Sequence, residues 1–283
     1  MRKGPSRDEE IFADADDGCG GCALWWRGGG SRGSHGDGAR RHASARPAAR
    51  RRRLAALLPP SFLPDAAASL HELETALAAA EAAQAAPPED HSEQSGRRQW
   101  FADLGLGWAG PRRWRRAAWK LLSEVELAST LTLRRQVEAA VADVGSAHAA
   151  PGEDDSGLVE RYNSALVNRC ASGAAGIKWH ADDERWYCVQ QRKKSDIRIA
   201  SVSLGAERWF EVRRRRRGNP EEKRKVRIRL RSGSLLVMAG ACQEHWQHAL
   251  PRDDECETIR YNLTFRRVLT ADEDPTLNSV HAD

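Results

Sequence analysis

No apolar run in this chain reaches the roughly 20 residues that a helix needs to cross a bilayer. The N-terminal residues lack the continuous apolar stretch of a secretory signal, and Asp8, Glu9, Glu10, Asp14, Asp16 and Asp17 argue against an Arg-rich transit peptide. No membrane partner is therefore expected. Cysteine is sparse, with six thiols in 283 residues. Cys19 and Cys22 form a single Cys-x-x-Cys pair, and no second pair stands where a zinc ribbon would need it. The expectation is a reduced, intracellular protein with scattered thiols. Residues 1–60 lack a sustained apolar period and are rich in Gly, Arg, Ala and Ser, which predicts a disordered tail.

What is present is charge and, further along, periodicity. Charged residues make up 30% of the chain, hydrophobic ones 40%, and the net charge is +5. A core is expected in part of the chain, and the basic balance favours a polyanionic partner. The stretch 39–53, ARRHASARPAARRRR, reads most plainly as a solvated tail, and it also suits a nuclear-import signal or a nucleic-acid arm. Residues 65–86 are Ala- and Glu-rich and predict one helix, with Asp65 as N-cap and Pro87-Pro88 as its end. A polar linker follows over 87–98. Folded structure is expected from about Trp100, with amphipathic helices over 112–127 and 130–144.

From Leu158 the pattern changes to short strands: 161–169, 177–181, 197–204, 207–213, 225–231, 234–238, 245–249 and 258–267. Val226, Ile228 and Leu230 alternate with Arg227, Arg229 and Arg231, as in a half-buried strand. Eight short strands in so short a span predict a mainly β fold, a jelly roll with packing helices N-terminal to it. The expected organisation is a tail over 1–98 with one helix, a helical and lid region over 99–157, the jelly roll over 158–270 and a C-terminal tail over 271–283. A monomer is expected.

The chemistry-bearing pattern is His180-Ala181-Asp182, then sixty-five residues, then His248. Two imidazoles and one carboxylate can cap one face of an iron ion and leave adjacent positions open. On a strand, residues two apart share a face, so His180 and Asp182 can reach one ion. Arg260 and Arg266 follow, six apart, and would share a sheet face. Surface charge on a last strand is the simpler account of them; a dicarboxylate anchor beside the metal is the sharper one.

Residues 158–269 carry Leu-Val-Asn-Arg at 166–169, His-Ala-Asp-Asp-Glu at 180–184 and Ser-Val-Ser-Leu-Gly-Ala at 201–206. Gly-Ser-Leu-Leu-Val-Met at 233–238, Trp-Gln-His-Ala-Leu-Pro at 246–251 and Arg-Tyr-Asn-Leu-Thr-Phe-Arg at 260–266 continue the series. In order and spacing this segment resembles the AlkB family of Fe(II)/2-oxoglutarate dioxygenases, most closely its eukaryotic DNA- and RNA-repair members. The resemblance implies that His180, Asp182 and His248 hold Fe(II), and that Arg260 and Arg266 each take one carboxylate of 2-oxoglutarate. It further implies that Asn168 and Thr264 line the co-substrate pocket and that Glu184 faces the substrate base. The family usually has Asn-x-Tyr where this chain has Asn168-Arg169-Cys170. Cys170 thus occupies a co-substrate position without the tyrosine hydroxyl, a loss of about 1 kcal/mol. The implied reaction is oxidative dealkylation of N-alkylated bases in DNA or RNA, releasing succinate, CO2 and aldehyde. The same chemistry on an RNA mark or a protein side chain, and a non-catalytic nucleic-acid binder on a decayed barrel, are the alternatives.

A base inside a duplex cannot reach a recessed metal, so the substrate must be single-stranded or flipped. Residues 208–231 hold 12 basic and three acidic side chains, which predicts a basic hairpin beside the site and a nucleic-acid groove along it. Trp100, Trp108, Trp114 and Trp119 interleave with arginines, but core packing explains them at least as well.

Overall fold

The strand that closes the large sheet, Arg260–Arg266, sorts its side chains by parity. Tyr261, Leu263 and Phe265 face a layer of helices, and Arg260, Asn262, Thr264 and Arg266 face a cavity on the other side. That alternation is the period-two rule of a strand, and the architecture extends it to every neighbour. The computed structural model describes residues 22–27, 62–83, 97–103, 120–121, 128–148, 162–184, 187, 197–215, 225–240 and 242–269.

The described elements run β1 (Cys22–Arg27), α1 (Ala66–Ala83), β2 (Arg97–Asp103), β3 (Lys120–Leu121), α2 (Ala128–His148), β4 (Ser164–Cys170) and β5 (Ile177–His180). They continue with β6 (Ile199–Gly205), β7 (Arg208–Arg214), β8 (Lys225–Leu230), β9 (Ser234–Gly240), α3 (Cys242–His245), β10 (Trp246–Leu250) and β11 (Arg260–Arg266). A seven-stranded sheet has the order β1-β9-β6-β11-β4-β2-β3, and a four-stranded sheet the order β5-β10-β7-β8. Ile199, Leu236 and Met238 of the first pack with Phe210, Ile228 and Leu230 of the second, so the sheets meet face to face as a jelly roll. All eight strands expected beyond Leu158 are present.

The helices cover the outer face of the large sheet. Asp65 caps α1 by accepting a 2.9 Å bond from the Ala68 N–H. Leu73, Leu77 and Ala80 form its buried stripe, and Leu133, Val137 and Val141 that of α2; both pack on Ala165, Val167, Val202 and Leu263. Gly205 ends β6 with φ of 82°, where a Cβ would stand 2.4 Å from the Ile259 carbonyl oxygen, so only glycine fits.

Three expectations need correction. The helix expected within the tail over 1–98 is α1, which with Leu63 contributes to the core, but a strand that was not expected there, β1, pairs along its length with β9. Its sequence carries a weak signal because one short strand can find its edge only through a partner over 200 residues away. The helix expected over 112–127 is not continuous, since Lys120–Leu121 pairs in parallel with β2; its other residues lie outside those described, as do 39–53 and 271–283. The cysteines are not all scattered thiols. Among the described residues Cys170 and Cys256 are free, but Cys242 is disulfide-bonded. No helix among the described residues is long and apolar enough to span a membrane.

Candidate metal centre and anion pocket

Strand pairing brings the two histidines together. In β10, His248 stands opposite His180 of β5 on one side and Val212 of β7 on the other. The two rings lie 4.2 Å apart between centroids. Asp182 is not on the strand as expected: β5 stops at His180, and Asp182 lies in the irregular segment after it. Its place is set instead by two contacts from afar. Its N–H donates to Gln243 Oε1 at 2.9 Å, and its Oδ2 accepts from Arg266 Nη2 at 2.8 Å.

His180 Nε2 is 3.5 Å from Asp182 Oδ1, and His248 Nε2 is 3.9 Å from Asp182 Oδ2. One donor atom from each of the three residues falls within a 4.8 Å spread. Ligand atoms each about 2 Å from one ion lie at most about 4 Å apart, and both imidazole–carboxylate distances fall within that limit, so the set suits a divalent cation. His180 Nδ1 lies 2.8 Å from the Lys178 carbonyl, which can only accept, so Nδ1 is the donor and Nε2 is the nitrogen that faces Asp182. Burial pushes His248 down to about 4, with Asp182 opposing and His180 and Arg266 assisting, so its imidazole is neutral near pH 7. Phe210 stacks on that ring at 5.4 Å. Burial alone would raise the Asp182 carboxyl, but Arg266 and the two histidines hold it well below the usual range.

A cavity of about 790 Å³ opens beside these three residues. Arg260, Asn262, Thr264, Arg266, Asn168 and Glu184 all line it. Arg260 donates to Ser203 Oγ at 2.9 Å and Asn168 accepts from Gln99 Nε2 at 2.6 Å. Asn262 donates to Ser201 Oγ at 2.7 Å and accepts from Thr264 at 3.2 Å. Arg260 is lowered to about 10 by burial, Cys170 opposing and Arg208 assisting. The Nε of Arg260 and of Arg266 are buried with no hydrogen-bond acceptor. Two buried guanidiniums with unused donors, on one face of one strand, suit an anionic ligand. Burial, then the nearby Asp182, raises the Glu184 carboxyl, whose Oε2 is also unpartnered.

Cys170 departs from its expected place. It is fully buried among Ala175, Leu250 and Ile177 and is not part of the cavity wall, although it pairs in register with Arg260. Four contributors went unnoticed in the sequence: Gln243, Phe210, Gln99 and Ser203. Parity along β6 and β7 would have placed Ser203 and Phe210 inward; nothing local marks Gln243 or Gln99, which act through long-range contacts.

The basic hairpin forms, β7 pairing with β8 along its length, but not all its cations are free for a ligand. Arg208 is 1% exposed and donates to the carbonyls of Ser172, Gly173, Ala175 and Pro251 at 2.6–3.3 Å. It clamps the β4–β5 loop to the end of β10, where Gly173 comes so close to Asp253 that a Cβ would collide with its carbonyl oxygen at 1.7 Å. Buried carbonyls left without donors cost about 1–3 kcal/mol each. Arg208→Met is therefore expected to lower the unfolding free energy by about 3 kcal/mol or more, measured by urea denaturation against the parent chain.

The family profile described as the 2OG-Fe(II) oxygenase superfamily matches residues 56–266. A DNA oxidative demethylase ALKBH2 of Arabidopsis thaliana is 37% identical over 127 residues, 38% of this chain and 38% of that protein. The alpha-ketoglutarate-dependent dioxygenase alkB homolog 3 of Homo sapiens is 39% identical over 113 residues, 38% of this chain and 37% of that one. The chain thus spans well under half the length of these relatives. A solved structure titled "The structure of OsALKBH1" covers 69% of this chain and 92% of its own at 15% identity and a TM-score of 0.40, too distant to bear on the site.

Proposed function

This chain belongs to the 2OG-Fe(II) oxygenase superfamily, and on that premise we propose that it oxidatively dealkylates N-alkylated bases in DNA or RNA. The observation that carries the reading is the juxtaposition of His180, Asp182 and His248 with Arg260 and Arg266 around one cavity. In this reading His180, Asp182 and His248 hold Fe(II). Arg260 and Arg266 take the two carboxylates of 2-oxoglutarate, and Asn168 and Thr264 complete the co-substrate wall. Fe(II) held there would supply the activation of O2, one oxygen atom going to 2-oxoglutarate as it decarboxylates to succinate and the other to the N-alkyl carbon, whose hydroxylated form loses aldehyde to restore the base.

The chain's own residues orient and enclose. Arg266 bridges ligand and co-substrate: one nitrogen is committed to Asp182, while its unpartnered Nε remains for a carboxylate. Phe210 fixes the plane of the His248 ring and excludes water from that side. Glu184, half-buried and with its carboxyl raised, stands at the cavity wall where a base's exocyclic nitrogen can meet it. The likeness to a DNA oxidative demethylase supports this substrate class. The basic run 39–53 fits an import signal, so the reading takes the nucleus as its compartment.

The deciding experiment is turnover of oligonucleotides carrying 1-methyladenine or 3-methylcytosine, dependent on iron and 2-oxoglutarate. Wild-type protein is expected to release succinate and formaldehyde in equal amounts, and His180→Ala to release neither. Undiminished turnover by His180→Ala would overturn the assignment.

A further inference from the structure

The outer face of the four-stranded sheet carries a pattern that the metal centre does not use. Odd residues of β7 and β8 point outward: Trp209 and Arg213 on one strand, Arg227 and Arg229 on the other. Arg213 lies 4.1 Å over the ring of Trp179 in edge strand β5, with Lys225 at 5.8 Å. Arg227 and Arg229 lie 4.6 and 5.0 Å over the ring of Trp209. Indoles and flat cations therefore alternate across the sheet, and Trp179 also lines the cavity mouth one residue before His180.

We propose that this indole–guanidinium track binds the single strand of nucleic acid that flanks the reacting base. The kind of polymer rests on the function proposed above; the track itself rests on the geometry. Three arguments favour this occupant. First, the charge is unbalanced. Among the described residues Arg213, Lys225, Arg227 and Arg229 stand on this surface with two carboxylates, Glu207 and Glu211. The side chains of Arg227 and Arg229 are 51% and 53% exposed; the Arg229 pair with Glu207, itself 30% exposed, contributes about 0–1 kcal/mol, so a phosphate can exchange with that glutamate, while the buried Glu211 stays with Lys225 and Arg227. Second, a guanidinium stacked on an indole is already ordered and presents a flat cation to a base. Arg213 is further held by Gln247 Oε1 at 3.1 and 3.3 Å. Third, an acidic peptide could satisfy the cations but offers few flat π faces, and a duplex hides those of its bases. A single strand presents both phosphate and base face at every residue.

The test uses the full chain without added iron and an unmodified, fluorescently tagged strand of about 16 nucleotides, DNA or RNA. Anisotropy is followed over a range of salt concentrations. Wild-type protein is expected to bind either strand, with affinity falling as salt rises. The double variant Arg227→Gln, Arg229→Gln should bind about tenfold more weakly, with the salt slope shallower by about 0.7 for each cation removed. Arg227→Lys, Arg229→Lys should keep the slope but lose several-fold in affinity, because lysine keeps the charge without the flat face. The lysine pair decides the matter should the glutamine pair fail to fold. Wild-type affinity and slope in both variants would overturn the track, as would tighter binding of a duplex or of poly-glutamate. The strand carries no alkylated base and no turnover is read, so failure here is distinct from failure of the dealkylase reading.

Discussion

His248→Ala is expected to lose Fe(II) binding and, with it, all 2-oxoglutarate-dependent turnover. His248 is 7% exposed, sits opposite His180 across a strand pair and stacks on Phe210. Its imidazole is neutral near pH 7, so its lone pair is available without displacing a proton. Loss of an outer partner of a metal ligand costs about 10–100-fold in affinity, and loss of the ligand itself must cost more. Titration calorimetry with Fe(II) or Mn(II) under anaerobic conditions reads this directly, and the fold can be followed beside it by circular dichroism. Metal affinity within a few-fold of the parent would remove His248 from the site.

Arg266→Met is expected to be the most damaging change to the folded state of any at this site. Arg266 is the buried partner of Asp182 at 2.8 Å, and it also faces the Tyr187 ring at 5.6 Å. Removing one member of a buried pair leaves the other charge unpaired, at about 3–5 kcal/mol. The pH dependence has a definite sign. In the parent, the Asp182 carboxyl is held below its unfolded value, so its contribution to stability is present above the unfolded pKa and is lost as pH falls through the folded one. Without Arg266, burial dominates and raises the carboxyl above its unfolded value. The variant's deficit should then be largest near pH 7 and shrink as acid protonates the orphaned group. Urea unfolding of both proteins across that range measures it; a deficit independent of pH would mean that the pair is not what holds the site. Affinity for 2-oxoglutarate should fall in the same variant.

The parity of β11 was legible from the letters Arg-Tyr-Asn-Leu-Thr-Phe-Arg, because alternation in a strand needs no knowledge of neighbours. The Asp65 cap and the stripe of α2 were legible for the same reason: each is a local rule, written within one or two turns. The pairing of His180 with Asp182 was anticipated for the wrong cause. The strand ends at His180, and Gln243 and Arg266, 61 and 84 residues away, set the carboxylate's place. The hairpin's charge was countable, but its disposition was not. Arg208 and Arg213 differ by five positions in the chain, yet the first is a buried clamp on backbone carbonyls and the second a cation on an indole.

The chain alone determined which residues could bind metal and anion, and which face of each strand they would take, because side-chain chemistry and backbone periodicity are local properties. Only the tertiary structure decided that His248 meets His180, that Cys170 packs among Ala175, Ile177 and Leu250, that β1 pairs with β9 and that α1 joins the core. Those outcomes depend on register and burial between segments far apart in sequence, and the energy that selects them exists only once both partners are in place.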